Sequence, residues 1–172
     1  MLTLSTFIGY MPEQMAEYAQ TPILDFIVSE KGGLDQYTVT ACESLAYACE
    51  GFKVLQIPVF NVLESLLPRL FDVEIDKDVI FSILLLTSEI ISVFGHVLPD
   101  HIIEIFIKTF IGILESPPSS FLLTESVSSI IDPSIQIPLF FLLSQSADIF
   151  GAKYYEPFLP KLSPILLSYF NP

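Results

Sequence analysis

Residues 77–116 read KDVIFSILLLTSEIISVFGHVLPDHIIEIFIKTFIGILES, and this stretch decides the fold. After Gly95, apolar residues fall at Ile102, Ile103, Phe106, Ile107, Phe110, Ile111 and Leu114. That i, i+3, i+4, i+7 recurrence lays one wide stripe along a helix of 3.6 residues per turn. Glu104, Lys108 and Gly112 share the opposite face. Ahead of Gly95, Val79 to Phe94 is apolar nearly all round, broken only by Ser82, Thr87, Ser88, Glu89 and Ser92. A helix of that kind has to be covered on more than one side. The stretch predicts a helical hairpin: a core helix, a turn at Gly95, and an amphipathic return helix.

Three other parts of the chain repeat this layout. Positions 8, 11, 15, 16 and 19 residues beyond Gly95 hold Ile103, Phe106, Phe110, Ile111 and Leu114. The same steps from Gly51 reach Val59, Val62, Leu66, Leu67 and Leu70, and from Gly151 they reach Leu159, Leu162, Leu166, Leu167 and Phe170. All fifteen are apolar, which a 52% hydrophobic content does not supply by coincidence. Gly9 is a weaker fourth anchor, with Leu24 and Val28 at the two matching positions. The anchors lie 42, 44 and 56 residues apart, and the first two spacings match the roughly 40–47-residue period of HEAT and armadillo arrays. The expected fold is all-α: an α-α superhelix of stacked antiparallel hairpins, HEAT/armadillo-like, with about three and a half repeats. The hairpins fall at 1–31, 34–72, 77–116 and 132–172, forming one block with an insertion at 117–131. The anchor glycines are expected to close the first helices in the left-handed conformation, and the chain reads as a piece of a longer solenoid.

Seven Lys and Arg stand against 20 Asp and Glu, a net charge of −13. That field opposes nucleic acid phosphates, whose binding rests on cationic contacts, and favours basic protein partners. Cys42 and Cys49 are the only cysteines; on one helix they would stand about 10 Å apart along the axis, too far for a disulfide. Buried free thiols in a reducing compartment are expected. Mean hydropathy is +0.63, and Val79 to Pro99, with Glu89 as its single charge, has the length of a membrane span. Glu89 at mid-membrane would be costly and the flanking cations are sparse, so no membrane insertion is expected.

Few residues suggest chemistry. Lys31-Gly32-Gly33 reads as a hairpin junction, since the residues of a phosphate loop are missing. Asp72, Glu74, Asp76 and Asp78 alternate before the central hairpin without the glycine and terminal glutamate of a calcium loop, so they read as helix caps and solvated charge. His96 and His101 lack metal-site spacing, and no serine lies in a nucleophile elbow. No catalytic residue, metal or cofactor is expected. Pro68 falls late in one second helix, and Pro157, Pro160 and Pro164 recur in the last hairpin, predicting bends. Pro117-Pro118-Ser119-Ser120 ends a helix, and 121–131 reads as a short extra helix capped near Thr124.

Binding is the better expectation, because second helices of stacked hairpins line an extended concave surface. The candidate partner-binding residues are Glu64, Asp72, Glu104, Lys108 and Glu115, with Pro68, Pro160 and Pro164 along the same edge. The last hairpin, IFGAKYYEPFLPKLSPILLSYF from Ile149 to Phe170, resembles the phrase in importin-β-like karyopherins where a glycine ends one helix and an aromatic-proline-leucine segment starts the next. SVFGHVLPDHIIEIFIKTFIGIL, from Ser92 to Leu114, is a looser version. The resemblance implies a HEAT solenoid of the cytoplasm and nucleus that binds cargo or a Ran-type GTPase and contacts Phe-Gly nucleoporins, and the net charge favours basic cargo. Phosphatase or chromatin scaffolds built from HEAT units are the alternative. Their regular units carry a repeated arginine, and Arg69 is the only arginine here.

Overall fold

The computed structural model describes residues 36–48, 56–72, 75–123 and 131–170. The 1–31 hairpin, the anchors Gly9 and Gly51, the Gly32-Gly33 junction, Cys49 and Glu74 lie outside the described residues. The described residues are mostly helical: α1 (Gln36–Ala48), α2 (Gln56–Leu66), α3 (Lys77–Phe94), α4 (Asp100–Glu115), α5 (Pro133–Phe150), the single turn α6 (Ala152–Tyr155) and α7 (Leu159–Phe170). No strand occurs among them; Leu122 and Ile131 form one isolated antiparallel bridge.

α3 begins at Asp76, whose carboxylate accepts from the Asp78 N–H at 2.9 Å and satisfies an otherwise orphaned donor. Its two buried hydroxyls bond back along the helix, Ser82 to the Val79 carbonyl at 2.8 Å and Thr87 to the Ile83 carbonyl at 2.7 Å. α3 packs against α1 on one side and α5 on the other, which explains its apolar residues all round. On α1, Ala41, Cys42 and Leu45 are fully buried. α4 lies between α2 and the α6–α7 segment. First helices thus neighbour first helices (α1, α3, α5), and second helices neighbour second helices (α2, α4, α7).

All five seam residues after Gly95 are buried, as are Val62, Leu66, Leu67 and Leu70 on the preceding second helix. The last hairpin departs from this register: Leu162 is buried, but Leu159 and Leu167 are 48% and 61% exposed. The reason is position. α4 has a second helix on each flank, whereas α7 has one on a single flank among the described residues. Two of the four prolines interrupt the second helices, whereas Pro160 and Pro164 lie within the unbroken α7. α2 tightens into a 3₁₀ segment, Leu67–Phe71, at Pro68, and the last helix is divided by a 3₁₀ turn, Glu156–Phe158.

The glycine expectation holds at one anchor and fails at the other. Gly151 has φ +83° and ψ 168°, a conformation open to glycine alone at low cost. Gly95 is right-handed, at φ −54° and ψ −34°. It is small for a different reason: a Cβ there would sit 2.4 Å from Ile149 Cγ2 on α5. Close approach of two elements, not backbone handedness, requires glycine at 95.

The insertion also differs from expectation. α4 ends at Glu115, ahead of Pro117-Pro118, but Phe121 closes a 3₁₀ turn and Leu122 is extended and paired with Ile131. A helix over all of 121–131 is excluded by that pairing. Phe121 and Ile131 are both fully buried and anchor the loop to the core. The next residue, Asp132, caps α5 by accepting from the Ser134 N–H at 2.9 Å, and it also accepts from Lys77 Nζ at the start of α3. Hydrogen bonds from Lys77 and then from Ser134 hold the Asp132 carboxyl down to about 2, from an ordinary 3.8. A depressed carboxyl contributes stability above its ordinary value and loses it as pH falls through its folded one. Thermal unfolding at pH 4 and pH 2 should therefore show a smaller acid loss in Asp132→Asn than in the parent. An equal loss would mean that this contact does not contribute to acid sensitivity.

Candidate functional site

Two surfaces group exposed polar residues in a way that bears on binding. The first is the second-helix edge. Glu64 is exposed on α2 and Asp72 just beyond its 3₁₀ extension. On α4, Lys108 Nζ lies 2.9 Å from Glu104 Oε2, an i, i+4 pair with both side chains exposed. Glu115 pairs with Lys161 of α7 at 3.1 Å. Pro68, Pro160 and Pro164 are exposed. The structure brings Glu104 and Lys108 together and ties Glu115 to a lysine that spacing did not single out. Glu64 and Asp72 are not bonded to the α4 residues. Exposed pairs of this kind contribute little to stability, about 0–1 kcal/mol, and they partly neutralise the acidic edge.

The second surface is an open groove of about 750 Å³ in the row of first helices, between α1, α3 and α5. Its apolar walls include Phe81, Leu85 and Phe141, and Glu43, Asp78 and Glu89 stand along it. No cationic side chain lines it, and none of the three carboxylates has an ion-pair partner among the described residues. Sequence reading placed Phe81 and Leu85 in the core with the rest of α3. A signal was present nonetheless: 78, 81, 85 and 89 follow one another at helical spacing, so two acids bracket two apolar residues on one face.

Under this groove Cys42 is fully buried on α1. Burial pushes its thiol up to about 12, with a hydrogen bond to Ser82 pulling weakly the other way. The thiolate is the reactive form, so this cysteine is inert while the fold holds. Mass spectrometry after iodoacetamide treatment should find Cys42 unmodified in native protein and fully alkylated in urea. Rapid labelling of the native thiol would contradict its placement.

Other polar contacts hold elements together rather than converge on a cavity. The hydroxyls of Ser146 and Tyr155 bond to each other, and burial raises the Tyr155 phenol to about 12. Tyr154 donates to the Asp100 carboxylate, joining α6 to α4. His96 and His101 are exposed. Among the described residues no group of three or more His, Cys, Asp or Glu side chains could hold a metal ion.

Family models, curated proteins and solved structures give no match to this chain. Among the described residues one segment, Lys77–Val97, is long and apolar enough to cross a membrane by length and composition; 61% of its most apolar window is buried inside the fold.

Proposed function

We propose that the protein is a protein-binding scaffold, a HEAT/armadillo-like stack of helical hairpins used as a karyopherin-type receptor in nuclear transport. The observation that carries this reading is the row packing: α1, α3 and α5 lie side by side, as do α2, α4 and α7, with buried seams at matching steps along α2 with its 3₁₀ extension and along α4. Such an array offers long, open faces whose helices have already satisfied their backbone groups, so recognition falls to exposed side chains. The excess of acids favours basic cargo and speeds its encounter by long-range attraction. Glu64, Asp72, Glu104, Lys108 and Glu115 form the second-helix edge where cargo or a Ran-type GTPase would dock. The protein would then act in the cytoplasm and nucleus, without membrane insertion.

A pull-down with Ran loaded with GTP or GDP tests the transport reading. Selective retention of the protein by the GTP form supports it. Absence of binding to either form removes the transport role and leaves the scaffold.

A further inference from the structure

We infer that the groove between α1, α3 and α5 is the docking site for a basic amphipathic helix of a partner protein. This rests on the protein-binding reading and assigns it a second face, across the fold from the second-helix edge.

Three of the large apolar side chains left exposed gather here, Phe81 and Leu85 on α3 and Phe141 on α5, with Pro138 beside Phe141 on the α5 wall. Phe81 and Leu85 are spaced i, i+4 and Pro138 and Phe141 i, i+3, so each helix presents a two-residue apolar rib along the groove. On α3 the rib is flanked by Asp78 before and Glu89 after, and Glu43 adds a third carboxylate from α1. From Asp78 to Glu89 the face runs about 16 Å, the length of roughly three helical turns. The Ser88 hydroxyl donates to Gln145 Oε1 at 3.0 Å and ties α3 to α5 along this line, so the two walls are held at fixed separation.

The walls select the conformation and the charge of the occupant. All three are helices, so an extended peptide would find no strand edge to join. A helix brings its own backbone bonds and offers apolar residues at i, i+4 and i+7 to the two ribs. Three carboxylates without ion-pair partners among the described residues, in a groove that no described cation lines, call for lysine or arginine at the rim of that helix. The same three charges repel phosphate, which argues against an anionic lipid surface or a nucleic acid as the occupant.

The probe is a fluorescein-labelled helical peptide of about twelve residues, leucine on one face and lysine on the other, titrated against the full chain by anisotropy. A sequence isomer of identical composition in scrambled order is the comparison. The amphipathic peptide should bind at least about tenfold more tightly than its isomer. Leu85→Lys, at a side chain 41% exposed and so expected to fold, should weaken binding about tenfold or more. Glu89→Lys should weaken it and flatten its salt dependence, while Glu104→Lys on the opposite edge should leave it unchanged. Equal binding of the two peptides would overturn the proposal, since it would reduce to diffuse charge attraction. So would an affinity indifferent to Leu85→Lys, or one as sensitive to Glu104→Lys. A protein that binds the peptide through Leu85 yet ignores Ran keeps the groove and loses the transport role; the opposite pattern does the reverse.

Discussion

Phe106→Ala should cost the fold about 3–5 kcal/mol, the upper range for deletion of a buried side chain. Phe106 is 1% exposed on α4, with its ring 4.4 Å from that of Phe110 and 5.7 Å, edge to face, from that of Phe150 at the end of α5. Its removal takes away both the apolar burial and the aromatic pairing, the latter about 0.5–1.5 kcal/mol beyond area. The cavity cannot collapse easily because α4 is held on both flanks. Domains of this size are stable by only about 5–15 kcal/mol, so the loss is a large share of the total. Urea unfolding followed by far-UV circular dichroism should show the midpoint fall, with a drop in melting temperature on the order of 10 °C. Phe141→Ala is the matched control: the same chemical change at a side chain 63% exposed should shift stability by no more than about 0.5 kcal/mol.

Gly95→Ala should destabilise by about 1–3 kcal/mol, and Ile149→Ala should reverse most of that loss. The backbone at Gly95 is right-handed and helical, where alanine is ordinarily favoured over glycine by about 1 kcal/mol. Propensity alone therefore predicts a gain. The added methyl, however, would lie 2.4 Å from Ile149 Cγ2, a separation that no real pair adopts. Removing Cγ2 removes the clash, so a double-mutant cycle should give a coupling of the order of 0.5–3 kcal/mol favouring the double variant. If Gly95 served instead to adopt a left-handed backbone, Ile149→Ala would add its own cost and rescue nothing.

What could be read from the chain was whatever depends on neighbours along it. The α4 stripe from Ile102 to Leu114 follows from helical period alone, and every residue of it at the seam positions is buried. The Glu104–Lys108 pair is likewise a matter of one helical turn. Features set by packing between distant segments were hidden. The ties of Lys77 to Asp132 and of Lys161 to Glu115 join residues far apart in sequence. Gly95 does end α3, as read, but the reason for a glycine there was hidden because the pressure comes from Ile149 on α5. Leu159 and Leu167 match buried positions by count, but their exposure depends on what lies beside α7. The groove was invisible for the same reason: Phe81 and Leu85 differ from buried Ile80 and Leu84 only by which neighbour stands opposite them.

The proposed stacking of one helical hairpin on the next is tested most directly by a cross-link at the point where α3 ends against α5. A Cβ built at Gly95 lies 3.6 Å from Ile149 Cβ, within the range that a disulfide spans. The double variant Gly95→Cys with Ile149→Cys, made with Cys49→Ser and with Cys42 left buried, should close into one disulfide under mild oxidation. Non-reducing peptide mapping would show the two segments joined. Two free thiols at 95 and 149 in a protein that still gives a helical spectrum would mean that α3 does not end against α5, and the stacked arrangement would be wrong.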